Sequence, residues 1–237
     1  ASAALAEPAP LDAAISPLAQ KAPALALPGS RREPTREDIR RLVALGTQAP
    51  SGGNVQPWRF VARGNKVRCF IDESQSITLL DFERTATQLA IGAAVENIEL
   101  GARAAGLHCH VAPFPAPAQP SLVAELTFTI PALAPEPPPL SRYISERVTN
   151  RRLGPRVPLT ADQLGAIAAA AESGGGALQT LTDPADLDRI GSILGASDRI
   201  RFLSKRLHAE LMGEVRWTAE EAERTRDGVD LATLELS

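Results

Sequence analysis

The chain has 237 residues, of which 44% are apolar and 22% charged, a composition typical of a soluble globular protein with a sizeable core. Its formal net charge is −3, and only 4% of its residues are aromatic. The sequence therefore predicts neither the basic face of a nucleic-acid-binding protein nor the aromatic platforms that stack single strands.

The sequence also argues against metal, disulfide and membrane roles. Cys69 and Cys109 lie far apart and follow no metal-ligand or disulfide spacing. His108 and His110 alternate on a predicted strand but have no third ligand nearby, so no metal site is predicted. No apolar run reaches the roughly 18 residues that span a bilayer, and the start does not resemble a signal peptide. We therefore expect a cytoplasmic protein without membrane contact.

The first third of the chain predicts a lead, a helix and a hairpin. Residues 1–33 are rich in Ala and Pro, in the manner of a linker or a flexible lead. Thr35 and Asp38 form a capping signature for a helix that ends near Gly46. Alternating apolar residues then predict a hairpin that turns at Gly64-Asn65.

The middle of the chain predicts a long helix, two strands and a domain boundary. Residues 84–106 carry an Ala-rich helical pattern, and residues 110–114 and 122–130 alternate as strands. Five prolines then occur between Pro131 and Pro139, a run too stiff and too poor in donors for a helix or a central strand. We place a domain boundary at this run.

Helical patterns dominate the last third of the chain. Thr160 caps a predicted helix that ends near Gly174, and Asp183-Pro184 opens a second one. Residues 177–182 are expected to form a short strand between them. A further amphipathic helix follows, and Thr218 caps one last helical turn.

Residues 49–60 carry the strongest chemical signal and read Ala-Pro-Ser-Gly-Gly-Asn-Val-Gln-Pro-Trp-Arg-Phe. The two glycines permit positive φ and close approach, while the flanking prolines stiffen the loop. Asn54 and Gln56 each offer an amide donor and an acceptor, which suits the edge of a heterocycle. The alternative is a proline-bounded loop between a helix and an edge strand, with Trp58 in the core.

This loop resembles the Pro-Ser-x-x-Asn-x-Gln-Pro-Trp signature of the FMN-dependent nitroreductase family. Six positions match at fixed spacing: Pro50, Ser51, Asn54, Gln56, Pro57 and Trp58. In that family the loop reaches a flavin held mainly by the other subunit of a dimer, so the resemblance implies FMN as the cofactor and a second half-site elsewhere. The cofactor-binding residues that it implies in this loop are Pro50, Ser51, Gly52, Asn54 and Gln56.

A basic loop supplies a candidate for the second half-site. Arg147, Thr149 and Arg151 alternate, so an extended backbone would turn all three toward one anion such as a phosphate monoester. A solvated basic loop is the alternative. Nitroreductases carry a similar Arg-x-Ser-x-Arg or Lys pattern that binds the flavin phosphate and ribityl region, and the resemblance implies that role here. It also implies that Arg151 lies near the N1 and O2 edge of the flavin, where positive charge stabilises the reduced ring.

The two loops occur in the reverse of the family order, which a duplication explains. This organisation resembles tandem, pseudo-dimeric nitroreductases that hold one FMN between unequal halves. We expect an α+β, nitroreductase-like fold with an antiparallel or mixed sheet flanked by helices. Residues 34–141 would form the first half and residues 142–237 a second, incomplete half with a lid-like C-terminal segment. The family's C-terminal flavin contacts are expected to lie beyond this chain, and the lead suggests fusion to a ThiF-type domain.

The resemblance implies an NAD(P)H oxidoreductase that reduces nitroaromatics, quinones or similar small-molecule acceptors by ping-pong hydride transfer through FMN. This scheme requires no side-chain acid or base, so we predict no catalytic residue. Two alternatives stay open. One is a flavin-sequestering protein in which a segment near residues 217–236 closes over the ring, and the other is a cofactor-free structural domain of a fusion protein. The resemblance also raises the expectation of a homodimer.

Overall fold

A computed structural model describes residues 33–76, 80–151 and 157–234. The contacts between Cα atoms divide the chain into two units. One unit contains residues 1–150 and 214–232, and the other contains residues 151–213 and 233–237. The predicted division at 141/142 stays a prediction, but this grouping places a late segment with the first part of the chain. Except for Glu33, the predicted Ala- and Pro-rich lead lies outside the described residues.

The first unit is built on a four-stranded antiparallel sheet with two helices packed on it. Its main elements are α1 (Arg36–Gly46), β1 (Trp58–Arg63), β2 (Lys66–Ile71), α2 (Thr85–Ala104), β3 (His108–Pro113) and β4 (Leu122–Thr129). The strand order is β1-β2-β4-β3, and every neighbouring pair is antiparallel. This arrangement confirms the predicted α+β class with a sheet flanked by helices, and the hairpin, the long helix and the second strand pair lie where the sequence predicts them.

The predicted capping box starts α1. Thr35 Oγ1 accepts from the Asp38 backbone N–H at 3.2 Å, and Asp38 Oδ2 accepts from the Thr35 N–H at 2.8 Å, so two otherwise unpaired donors are satisfied. The buried side chains of α1 recur with helical spacing at Ile39, Leu42 and Val43. This stripe faces the core and directs the end of α1 toward residues 49–60, which we call the signature loop.

Glycines allow α1 and α2 to approach closely. A Cβ added to Gly46 would lie 2.7 Å from Ile98 Cγ1, and one added to Gly101 would collide with Leu45 Cδ1. The absence of a Cβ at these two positions therefore sets the spacing between the helices.

The core lies between the two helices and one face of the sheet, and both cysteines are buried in it. Cys69 and Cys109 are free thiols on β2 and β3. Burial, with a smaller coulombic contribution from Cys109, raises the pKa of Cys69 to about 12. Burial, with a smaller contribution from Glu99, does the same to the pKa of Cys109. Both thiols are therefore protonated across the physiological range.

The described part of the second unit is helical. It contains α3 (Ala161–Ser173), α4 (Pro184–Leu203) and most of α5 (Lys205–Glu214). Thr160 and Gln163 form a capping box on α3, and Asp183 caps α4, as the sequence predicts. The predicted strand at 177–182 is wrong, because these residues are exposed and have no regular secondary structure. A strand needs a neighbour for its backbone hydrogen bonds, and none of the described residues in this unit supplies one.

The first unit is completed by a late segment, which we call the C-terminal arm (residues 214–230). After α5 it contains β5 (Val215–Arg216), α6 (Ala219–Thr225) and β6 (Val229–Asp230), and β5 pairs with β6 in parallel. Thr218 Oγ1 accepts from the Glu221 N–H at 3.1 Å, which confirms the predicted cap of the last helix. Across the three described ranges, no helix combines the length and apolarity needed to cross a bilayer.

Candidate functional site

The signature loop folds back on itself between α1 and β1. A short 3₁₀ turn spans Gly52–Asn54, and the Asn54 N–H donates to the Ser51 carbonyl at 3.0 Å. The Ser51 hydroxyl accepts from the Gln56 N–H at 3.0 Å and closes the loop. Pro57 is fully buried, so the loop is anchored to the core at its end. The backbone of Gln56 is therefore held by a bond within the loop.

Three residues of this loop have left-handed backbone conformations. Their φ values are +56° at Gly53, +54° at Asn54 and +53° at Gln56. Glycine adopts this region freely and asparagine tolerates it, but a glutamine there costs of order 1–2 kcal/mol. Strain of this kind persists only where the surroundings enforce it, and it clusters at ligand-binding sites.

The C-terminal arm is part of those surroundings. Gln56 Nε2 donates to the Arg226 carbonyl at 2.6 Å, and the Gly228 N–H donates to the Asn54 carbonyl at 3.1 Å. Gly53 lies against the arm's first residue, since a Cβ added there would come within 2.8 Å of Glu214 Oε2. Both signature amide residues are thus hydrogen-bonded to a turn far along the chain.

Two buried polar atoms at this junction have no hydrogen-bond partner among the described residues. They are the acceptor Gln56 Oε1 and the donor Arg226 Nη1. A buried polar group without a partner is costly, so such groups in native proteins usually meet a ligand, an ion or water. Gln56 Oε1 is suited to accept from an N–H group of a heterocycle.

The structure brings two of the three predicted phosphate-binding residues together. Arg147 Nη1 donates to Thr149 Oγ1 at 3.4 Å, and Arg147 Nη2 donates to the Gln48 carbonyl at 3.1 Å. Gln48 immediately precedes the signature loop, so the Arg147 bond links the basic loop to the signature loop. Both Arg147 and Thr149 are exposed and accessible to an anion. Arg151 is half-buried and belongs to the second unit.

The structure also shows features expected for the alternative interpretation, a proline-bounded loop between a helix and an edge strand. Trp58 is 8% exposed and lies in the core, and β1 is an edge strand of the sheet. Pro50 and Gly52 are exposed, and a Cβ added to Gly52 would meet nothing within 4 Å. The loop therefore has one face turned outward and one fastened to the protein.

Sequence reasoning missed the residues of the arm that hold the loop. Glu214, Arg226 and Gly228 belong to no motif that points to residues 53–56, and the Gln56–Arg226 bond spans 170 positions. The only local signal is the Arg226-Asp227-Gly228 turn after the last helix. Within the described ranges, no group of three or more His, Cys, Asp or Glu residues is arranged to hold a metal ion.

Comparison with known proteins places the signature loop in a recognised family segment. Residues 30–68 match the model of the Nitroreductase family, which confirms the resemblance for this part of the chain. The tandem, pseudo-dimeric organisation and the ThiF-type fusion remain predictions.

Longer relatives occur in Mycobacterium tuberculosis. One, an uncharacterised protein, is 33% identical over 210 residues, which cover 86% of this chain and 28% of the relative. Another, the acg protein, whose name describes a proposed NAD(P)H nitroreductase, is 32% identical over 95 residues, or 40% of this chain and 29% of the relative. The chain thus spans less than a third of the length of these curated relatives.

Solved structures show weaker similarity. A nitroreductase-type protein from Desulfovibrio desulfuricans, solved in complex with FMN, has 22% identity and a TM-score of 0.38, covering 55% of this chain and 90% of its own. A nitroreductase family protein from Clostridium difficile 630 has 17% identity and a TM-score of 0.35, covering 55% and 91%. TM-scores below 0.5 are too low for these likenesses to carry a functional assignment.

Proposed function

We propose that this chain is a nitroreductase-type flavin oxidoreductase domain that binds FMN and transfers electrons from NAD(P)H to a small-molecule acceptor such as a nitroaromatic or a quinone. One observation carries the proposal: the segment that matches the family presents a strained signature loop whose Gln56 Oε1 is buried without a partner in the described structure. An acceptor of this kind suits the imide N–H of a flavin ring.

The donor set around the loop fits FMN. Gln56 and Asn54 would face the ring edge, with Ser51 fixing the Gln56 backbone and with Pro50 and Gly52 on the outward side of the loop. Arg147 and Thr149 would pair with the phosphate, because a guanidinium and a hydroxyl are suitable donors to a phosphate monoester. We propose Arg151 as a further contact on the strength of the motif alone.

When bound, FMN supplies the hydride chemistry. The protein's own residues would bind the phosphate and orient the ring. No side chain is assigned as acid or base. A pseudo-dimeric organisation within one chain, a homodimer and a cytoplasmic location complete the proposal as expectations drawn from the family resemblance.

The experiment is a titration of the purified chain with FMN, followed by anaerobic addition of NADH or NADPH. Binding is expected to quench FMN fluorescence and shift the visible absorbance, and the nicotinamide is expected to bleach the flavin band. A nitroaromatic or a quinone should then restore the band. No quenching at micromolar FMN would refute the cofactor, while binding without bleaching would refute the oxidoreductase.

A flavin-sequestering protein is the second candidate, and the C-terminal arm favours it. The arm contacts the signature loop through two hydrogen bonds and a close approach at Gly53, so part of the loop is already covered. This candidate expects bound FMN that neither nicotinamide bleaches. Bleaching by dithionite and by neither nicotinamide would show that the bound flavin can be reduced but that the nicotinamides do not reach it. No bleaching by dithionite would show that the bound flavin itself resists reduction.

A further inference from the structure

The turn that holds the signature loop is itself held by one arginine. Arg216 on β5 donates from Nε to Asp227 Oδ1 at 2.8 Å and to Thr225 Oγ1 at 3.1 Å, and its Nη2 lies 2.7 Å from Asp227 Oδ1. The side chains of Arg216 and Asp227 are only 15% and 28% exposed. The pair is therefore shielded from solvent more than a surface ion pair, and it joins β5 to the end of α6 and the turn that follows.

Asp227 lies between the two backbone groups that contact the loop. The residue before it supplies the carbonyl that accepts from Gln56, and the residue after it supplies the N–H that donates to Asn54. Restraining Asp227 thus restrains both contacts at once. Gly228 also packs against the Arg216 guanidinium, since an added Cβ would lie 2.6 Å from Arg216 Cζ.

The turn needs this restraint because its backbone is strained. Arg226 has φ of +54°, a conformation that costs a non-glycine residue of order 1–2 kcal/mol. Gln56, at the other end of the hydrogen bond, has the same kind of strain. Two strained residues that hold each other would relax if either lost its support.

We propose that Arg216 is a positioning residue for cofactor binding: by holding Asp227 and Thr225 it fixes the Arg226–Gly228 turn, and this turn fixes the orientation in which Asn54 and Gln56 meet the flavin. The inference rests on the proposed function. In this proposal the C-terminal arm supports the cofactor site. It does not cover the site in competition with the cofactor.

The test compares Arg216→Ala and Arg216→Lys with a control, Arg224→Ala, which removes an exposed arginine from the same arm. FMN dissociation constants come from fluorescence quenching, the environment of bound FMN from visible circular dichroism, and the Gly228 contact from amide hydrogen exchange. Arg216→Ala is expected to raise the FMN Kd about tenfold, to change the visible dichroism and to speed Gly228 exchange. Arg216→Lys keeps the charge beside Asp227 and should recover part of each effect, whereas Arg224→Ala should match wild type.

Gly228→Ala provides a second route to the same turn if Arg216→Ala fails to fold, and it should weaken FMN binding in the same direction. Unchanged or tighter FMN binding in the folded Arg216 or Gly228 variants would overturn the proposal, and tighter binding would indicate a competing cover. If wild type binds no FMN, the proposed function fails, but Gly228 exchange still decides whether Arg216 holds the turn. Faster Gly228 exchange in Arg216→Ala than in Arg224→Ala would show that Arg216 holds the turn, and equal exchange would overturn that part of the proposal as well.

Discussion

The side-chain amide of Gln56 donates to the backbone carbonyl of Arg226 at 2.6 Å, so a loop of the family signature shares a hydrogen bond with a turn 170 positions later. Replacing Gln56 with Ala removes this donor and also removes the unpaired acceptor Oε1. We expect FMN to bind about tenfold more weakly, because both the orientation of the loop and one ring contact are lost.

Fluorescence quenching measures this change, and Gln88→Ala is the matched control, since Gln88 is an exposed glutamine on α2. An FMN Kd that is equal in the two variants would remove Gln56 from the proposed site.

Arg147→Ala tests the phosphate contact by comparing FMN with riboflavin, which lacks the phosphate. Arg147 bonds Thr149 Oγ1 and the Gln48 carbonyl while remaining exposed, so an anion can reach its guanidinium. We expect FMN affinity to fall about tenfold and riboflavin affinity to stay nearly constant, because charge-assisted bonds to phosphate are lost only for FMN. The control is Arg142→Ala, which removes an arginine stacked over the Tyr143 ring. Equal losses for FMN and riboflavin would show that Arg147 supports the fold alone.

Gly53→Ala is expected to destabilise the protein by about 1–2 kcal/mol, because φ at this position is +56°. The added methyl would also press on the Glu214 side chain. Gly52→Ala is the matched control, since its φ is not positive and its Cβ would meet nothing within 4 Å. Urea unfolding measures the free energy in both variants. Equal stability would mean that the loop relaxes away from the left-handed conformation at no cost.

The thiols of Cys69 and Cys109 are expected to resist Ellman's reagent near pH 8 in the folded protein and to react fully in denaturant. Burial raises the pKa of each to about 12, so the reactive thiolate is scarce and access is blocked. Because folding raises these pKa values from 9.0, the stabilising contribution of the buried thiols is complete below about pH 9 and is lost as the pH rises toward 12. Rapid labelling of the native protein would contradict the buried positions.

Much of the fold could be predicted because the signals are local. The box formed by Thr35 and Asp38 starts α1, Gly64-Asn65 turns the first hairpin, and Thr160 caps α3, as the sequence predicts. Each depends on residues within a few positions of one another, where capping bonds and side-chain alternation are decided. The expected strand at 177–182 failed because strand formation depends on a partner that local sequence does not specify.

For the candidate site, the sequence by itself determined the chemistry: the amides of Asn54 and Gln56, the glycines that permit their loop, and the basic residues Arg147 and Thr149. Only the tertiary structure decided which of these groups are held and by what. It joined Arg147 to Gln48 and Gln56 to Arg226, and it made Arg216 the support of the turn. Contacts across such separations arise when the whole chain packs, because their partners are chosen by the geometry of the assembled core and by no local pattern.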